Sequence, residues 1–177
     1  MATQMQRHIL DKFGGAPHSK QSLRLWLKML SCTTRIENIV RERLRVEFDT
    51  TLPRFDVLAA LERNPQGLSM GELSRCLMVS NGNVTGVVSR LEKDGLVSRT
   101  PAPRDRRRHR VTLTRKGQRR FEHMAKVHEG WIDEIFSEIS TAEAETLLGH
   151  LARVQHSIAQ ASTRQETEAD NTETKNR

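Results

Sequence analysis

The sequence predicts a mainly α-helical chain with one small β-hairpin. Three observations lead there. Long segments carry apolar residues at three- and four-residue steps, as a helix with one buried face does. Two short runs near the middle alternate apolar and polar, as strands do. Helix-start and helix-stop residues punctuate the helical segments. The 177 residues are 36% hydrophobic and 29% charged, which fits one globular domain with extensions. No stretch approaches the ~20 apolar residues of a membrane span. Residues 1–15 offer only Ile9-Leu10 as an apolar pair, so they lack the apolar region of a secretion signal. A cytoplasmic protein with no membrane role is expected.

The elements follow in order. Residues 1–18, with Gly14, Gly15 and Pro17, read as a flexible arm. From 19 to 46, Leu23, Trp26, Leu27, Leu30, Ile36, Ile39, Val40 and Leu44 recur at helical steps. A helix this long does not bury its stripe alone, so a partner surface is implied. Thr51-Leu52-Pro53 starts a second helix, with proline in the first turn; Phe55, Val57, Leu58 and Leu61 form its apolar face. Asn64-Pro65-Gln66-Gly67 stops it. Ser69-Met70-Gly71-Glu72 matches a capping box, opening a short helix with Leu73, Cys76 and Leu77 inward. Ser80 is placed to cap the next helix, whose Val84, Val87, Val88 and Leu91 fall on one face. Gly95 suits the left-handed position that ends it.

Residues 96–100 and 110–114 are the two strands, joined by a basic loop over 101–109. A long helix follows from about Arg115, with Phe121, Met124, Val127, Trp131, Ile132, Ile135, Phe136 and Ile139. Ser140 and Glu143 cap a last helix bearing Leu147, Leu148, Leu151, Val154 and Ile158. Residues 161–177 are polar and read as a disordered tail.

Charge is unevenly spread. The chain has 29 Lys and Arg against 22 Asp and Glu, a net +7. Residues 80–120 hold twelve basic and three acidic residues, so this segment carries +9 and the remainder −2. A patch of this kind indicates a polyanionic partner. Aromatic residues are 4% and tyrosine is absent, which argues against base stacking on aromatic platforms.

Three helices followed by a two-stranded ribbon describe a winged helix-turn-helix. The helix over 81–94 is the candidate recognition helix. Ser80, Asn81, Gly82, Asn83, Thr85, Ser89 and Arg90 are its outward residues. Short polar side chains at a helix N-terminus reach base edges and phosphates in a major groove. Arg104, Asp105, Arg106, Arg107, Arg108 and Arg110 form the candidate wing. So many arginines repel one another on a bare surface, and the cluster makes sense beside phosphates or in a narrow minor groove.

The segment Ser80-x-x-x-Val84-Thr85-x-x-Val88-x-x-Leu91-Glu92-x-x-Gly95-Leu96-Val97-x-Arg99 resembles the MarR family of transcriptional regulators. So does Asp105-x-Arg107-x-x-x-Val111-x-Leu113-Thr114-x-x-Gly117, at the matching distance. The resemblance covers about Leu23 to Ile158. It implies an obligate-type homodimer in which 19–46 and 115–160 are dimerisation helices and 51–114 is the DNA-binding lobe. Two recognition helices would then meet successive major grooves of a pseudo-palindromic operator. Arg107 becomes the candidate for minor-groove insertion, with Asp105 orienting neighbouring arginines.

The resemblance further implies a repressor released by a small molecule. Its pocket would draw on Trp26, Met29, Leu30, Thr33, Arg35, Phe55, Met124, His128 and Trp131. Residues 25–28, 49–56 and 77–86 are similar to a branch tied to aromatic-acid catabolism, which implies an aromatic acid or its coenzyme A thioester as effector. Arg35, Arg41, Arg43 and Arg45 are basic groups on the first helix that could meet such an anion.

Two alternatives stay open. One is a sequence-nonspecific architectural DNA-binding protein. The other is a redox-responsive regulator using Cys32, although a buried structural cysteine fits a chain without tyrosine better. No enzyme motif is present: there is no nucleophile elbow, HExxH or P-loop. The histidine pairs His123/His128 and His150/His156 lack the i, i+4 spacing of a shared metal face. No metal and no cofactor are expected.

Overall fold

A computed structural model describes the backbone of residues 17–102 and 105–175, and the side chains of 19–101 and 109–161. The order is α1 (Pro17–Phe48), α2 (Leu52–Glu62), α3 (Met70–Leu77), α4 (Asn81–Lys93), β1 (Val97–Ala102), β2 (Asp105–Leu113), α5 (Arg115–Ile135) and α6 (Thr141–Lys175). The chain divides into two compact units, one up to Trp131 and one from Ile132 onward. No helix among the described residues is long and apolar enough to cross a membrane.

In the first unit, α1 runs two residues beyond the expected 19–46 at each end. Its C-terminus is fixed at Asp49, which adopts a left-handed φ of 46°. The Asp49 and Thr50 N–H groups bond back to the Arg45 and Leu44 carbonyls at 3.2 Å. Helix α2 begins at Thr51 and Pro53 as expected, but Thr51 makes no side-chain capping bond. Its Phe55, Val57, Leu58, Ala60 and Leu61 are buried. Burying a side chain of the Val, Leu or Phe type is worth about 1.5–3 kcal/mol.

The capping box of α3 is formed. Ser69 N–H donates to the Glu72 carboxylate at 2.7 Å, and Glu72 N–H donates to Ser69 Oγ at 3.3 Å. The Ser69 backbone and hydroxyl bonds, with help from Arg110 and Arg75, hold the Glu72 carboxyl below the usual range. Leu73 is fully buried and Leu77 half-buried, but Cys76 is exposed. The α3 stripe thus follows the i, i+4 step from Leu73 and leaves the i+3 position outside. Cys32, expected to be buried, is exposed as well.

Helix α4 buries Val84, Val88 and Leu91. It ends at Asp94, and Gly95 takes φ 70°. Strands β1 and β2 pair antiparallel from Val97↔Leu113 through Pro101↔His109, and the register then jumps to Ala102↔Asp105. Both strands extend into the stretch expected as loop. Leu68 joins the ribbon from the other side, exchanging two bonds with Val111 at 3.0 and 2.8 Å. That bridge fixes the ribbon to the start of α3. Thr114 Oγ1 accepts the Gly117 N–H at 3.0 Å and so caps α5.

The second unit holds the end of α5 and α6. Ser140 and Glu143 form the expected capping box, with the Ser140 N–H donating at 2.9 Å and the Glu143 N–H at 3.4 Å. Ser140 holds the Glu143 carboxyl below its ordinary range, its hydroxyl bond weighing most. The α6 backbone stays helical to Lys175, where a disordered tail from 161 was expected. Gln165, Glu166, Glu168 and Ala169 are good helix formers, and a helix already nucleated by a cap and apolar residues propagates through such a sequence. The expected N-terminal arm lies outside the described residues except for Pro17 and His18, which are helical.

Candidate nucleic-acid interface

The turn between α3 and α4 is set by Met78, which adopts φ 54° and donates its N–H to the α3 C-terminal carbonyls. Ser74 Oγ donates to the Val79 carbonyl at 2.5 Å and pins the turn. From there α4 packs its apolar stripe inward and turns Ser80, Asn81, Gly82, Asn83, Thr85, Gly86, Ser89 and Arg90 to solvent. Seven of these are the residues the sequence assigned to the recognition face. Ser80 sits at the cap position but makes no side-chain capping bond. The first N–H groups of α4 thus keep their capacity for an acceptor, which phosphate oxygens supply at helix N-termini. Thr85 Oγ1 donates within the helix to the Asn81 carbonyl at 2.8 Å. Nothing lies within 4 Å of a Cβ built on Gly82 or Gly86, so both glycines lower the helix surface where another molecule would approach.

A side chain of β1 ties the ribbon to this helix. Arg99, on β1, donates from Nη2 to Ser89 Oγ at 3.0 Å and lies 3.2 Å from the Glu92 carboxylate. Ser89 is therefore engaged inside the protein as well as facing outward. Arg110, read from sequence as a phosphate contact, is also anchored. Its guanidinium donates twice to the Gly67 carbonyl, at 3.1 and 2.7 Å, and sits 3.6 Å from Glu72. The sequence could not show this, because the bridge that brings Gly67 to β2 joins residues 43 positions apart. A groove of about 840 Å³ lies between the ribbon and the two helices, bordered by Met70, Glu92, Arg99 and His109. Arg104 lies outside the described residues, as do the side chains of Asp105, Arg106, Arg107 and Arg108.

The candidate effector residues divide into two groups. Phe55, Met124 and Trp131 are buried and His128 is half-buried. Phe55 and His128 rings stand 4.9 Å apart, and His128 and Trp131 rings 6.1 Å apart. Burial pushes the His128 pKa below its ordinary value. Phe121 and Phe48 extend the cluster, and the Arg43 guanidinium lies 5.9 Å from the Trp131 ring centre. Trp26, Leu30, Thr33 and Arg35 are exposed on α1, and Met29 is half-buried. No group of three His, Cys, Asp or Glu able to hold a metal occurs among the described residues.

A helix-turn-helix whose second helix exposes a polar N-terminal half, braced by a β-ribbon, defines a winged-helix nucleic-acid-binding protein. Comparison with known proteins gives the family. A sequence model of the MarR family matches residues 48–108. The transcriptional activatory protein BadR of Rhodopseudomonas palustris is 32% identical over 134 residues, covering 74% of this chain and 76% of that protein. A MarR family regulator from Silicibacter pomeroyi has a similar structure, with TM-score 0.70 and 32% identity over 81% of this chain and 99% of that one. The C80S mutant of MarR from E. coli, solved with operator DNA, matches with TM-score 0.67 and 26% identity over 76% and 95% of the two chains. The chain belongs to the MarR family of winged helix-turn-helix transcriptional regulators, a family of DNA-binding proteins rather than enzymes.

Proposed function

We propose that the chain is a homodimeric repressor that binds a pseudo-palindromic operator and is released by a small molecule. The observation that carries this reading is α4, whose outward polar face lies beside a β-ribbon that Arg99 ties to it. The solved relative in complex with operator DNA supports the same use of this fold here. Ser80, Asn81, Gly82, Asn83, Thr85, Ser89 and Arg90 read the major groove, and Arg107 enters the minor groove. Arg104, Arg106 and Arg108 contact phosphates.

Exposed apolar side chains support the dimer. In the first unit, Leu23, Trp26 and Leu30 stand along α1, with Trp26 56% exposed. In the second, Phe136, Ile139, Leu147, Leu148 and Ile158 are exposed, Leu148 at 65%. Surfaces of this kind seek a partner, and a twofold dimer places recognition helices ~34 Å apart, one turn of the duplex. The effector is an aromatic acid or its coenzyme A thioester, received near Phe55, Met124, His128 and Trp131. It acts by binding the DNA-incompetent spacing better than the competent one. The name of the relative BadR favours a second reading, in which the bound protein activates transcription.

Footprinting on the chain's own upstream DNA tests the proposal. Two protected half-sites one helical turn apart are expected, lost on adding benzoate, a hydroxybenzoate or a matching thioester. In-vitro transcription then separates repressor from activator. A uniform footprint without half-sites would favour the architectural alternative.

A further inference from the structure

We propose that Met78, in the turn between α3 and α4, is a further specificity-determining residue, which packs against the C5-methyl group of a thymine in each operator half-site. The proposal rests on reading α4 as the DNA-reading helix. Met78 is 93% exposed, and the next large apolar side chain among the described residues, Val46, is 66% exposed. Apart from the adjacent Val79, the other exposed ones belong to α1 or to the chain from Phe136 onward, the regions assigned to the dimer. Met78 is none of the residues that the sequence assigned to the recognition face or the wing.

The fold does not need this side chain. Met78 takes φ 54° and ψ 36°, a left-handed conformation in which a Cβ crowds the following carbonyl and which glycine or asparagine adopts more readily. The bonds that hold the turn come from the backbone and from Ser74. The Met78 N–H donates to the Arg75 carbonyl at 3.3 Å and the Val79 N–H to the Ser74 carbonyl at 3.1 Å. The Ser74 hydroxyl donates to the Val79 carbonyl at 2.5 Å. Glycine would serve each of these bonds and relieve the backbone. A long apolar side chain is instead held out in water by a well-bonded turn, next to the polar start of α4.

The surroundings decide what covers it. Residues 80–120 carry a net +9, so the surface that approaches here is a polyanion. In a helix-turn-helix the first helix crosses the DNA backbone and the N-terminus of the second enters the major groove, which brings the turn between them to the groove edge. The apolar feature that a duplex presents in that groove is the thymine C5-methyl group. The outward residues of α4 are Ser, Asn, Gly, Thr and Arg, and among them only Thr85 carries a methyl group. Methionine is unbranched and adapts its shape to such a contact. The turn thus reads a methyl group while the amides and hydroxyls of α4 meet donors and acceptors.

Anisotropy titrations of the full chain on its own upstream duplex test this. Each thymine is replaced in turn, in both half-sites at once, by deoxyuridine, which removes the methyl group and keeps the base pair. One such replacement is expected to weaken binding of the parent about fifteenfold, the effect of losing a buried methyl-sized group twice. Met78→Gly should bind the unmodified duplex at least that much more weakly and be indifferent to the same replacement, the coupling that a direct contact requires. Its melting temperature should hold or rise, and its slope of log affinity against log salt should match the parent's, because no phosphate contact is lost. Met78→Leu should keep most of the sensitivity to the methyl group. Met78→Asn, which also suits the left-handed turn, serves if the glycine variant does not fold. A parent indifferent to every replacement, or a loss equal in parent and variant, would overturn the contact. So would a glycine variant that melts lower and binds both duplexes more weakly by one factor, since that describes a structural role. Specific binding of the parent without the coupling removes only Met78, whereas a parent that does not prefer its upstream duplex to unrelated DNA removes the reading of α4.

Discussion

A Cβ placed on Gly117 would lie 1.9 Å from the carbonyl oxygen of Leu96. Helix α5 therefore starts hard against the segment that leaves α4. Two further bonds close the joint: Lys116 Nζ donates to the Asp94 carbonyl at 2.9 Å, and Thr114 Oγ1 to the Gly95 carbonyl at 2.8 Å. Asp94 is also paired with Arg54 of α2. The obstacle at Gly117 is backbone, which cannot swing aside as a side chain can. Gly117→Ala should thus lower stability by about 1–3 kcal/mol, the usual range for overpacking. Gly130 has open space around it, and Gly130→Ala should be neutral or stabilising by up to about 1 kcal/mol. Urea unfolding of the two variants measures the contrast; equal stabilities would contradict the joint.

Gly82→Ala separates folding from recognition. A methyl group meets nothing in the unbound protein, and alanine favours a helix over glycine by about 1 kcal/mol. The melting temperature should hold or rise. Operator affinity should fall, because the methyl stands where α4 approaches the duplex. A variant that binds DNA as well as the parent would place the contact elsewhere on the helix.

The sign of the pH effect at Asp56 follows from its raised pKa. The folded chain holds this proton up to about pH 6, whereas the free side chain releases it near 3.8. The stability from the bound proton is complete below about pH 4 and is lost as pH rises through about 6. Asp56→Asn should therefore unfold at higher urea than the parent near neutral pH. Discounted for the part exposure of the group, the gain is about 1–2 kcal/mol, and it should vanish toward pH 4. A gain that is the same at both pH values would point to packing instead.

Arg107 and Arg110 should behave differently although both belong to the basic run. Arg110 braces Gly67 and Glu72, so Arg110→Ala should lower the melting temperature as well as DNA affinity. Arg107→Ala should leave the melting temperature unchanged and weaken operator binding by about 1–3 kcal/mol. Thermal melts beside anisotropy titrations distinguish the two; a destabilised Arg107 variant would contradict its assignment to the DNA contact.

Most element positions were readable because their signals are local. The Ser69–Glu72 and Ser140–Glu143 boxes, the Gly95 turn and the Val84, Val88, Leu91 stripe each depend on residues a few positions apart. What escaped depends on distant parts of the chain. The Leu68–Val111 bridge, the Arg110 anchor on Gly67 and the Arg99 tie to Ser89 have no periodic trace. The exposure of Cys32 and Cys76 shows a related limit, since small sulfur-bearing residues on the edge of a helical stripe carry no sign of the side they take. The end of α6 was missed for another reason: a polar composition favouring solvent is compatible with a helix once apolar turns have nucleated it. The outward residues of α4 were legible as a set, but their availability was not, and Ser89 and Thr85 prove to be partly engaged within the protein.

The central claim is that α4 and the wing together read a particular DNA sequence. The direct measurement is an anisotropy titration of the chain's own upstream duplex, repeated with excess unrelated duplex and across a salt series. Specific regulation predicts an affinity for the upstream site about a thousandfold or more above that for unrelated DNA. It also predicts a steep linear fall of log affinity with log salt, as arginines at phosphates release counterions. Equal affinity for both duplexes, or an affinity indifferent to salt, would contradict it.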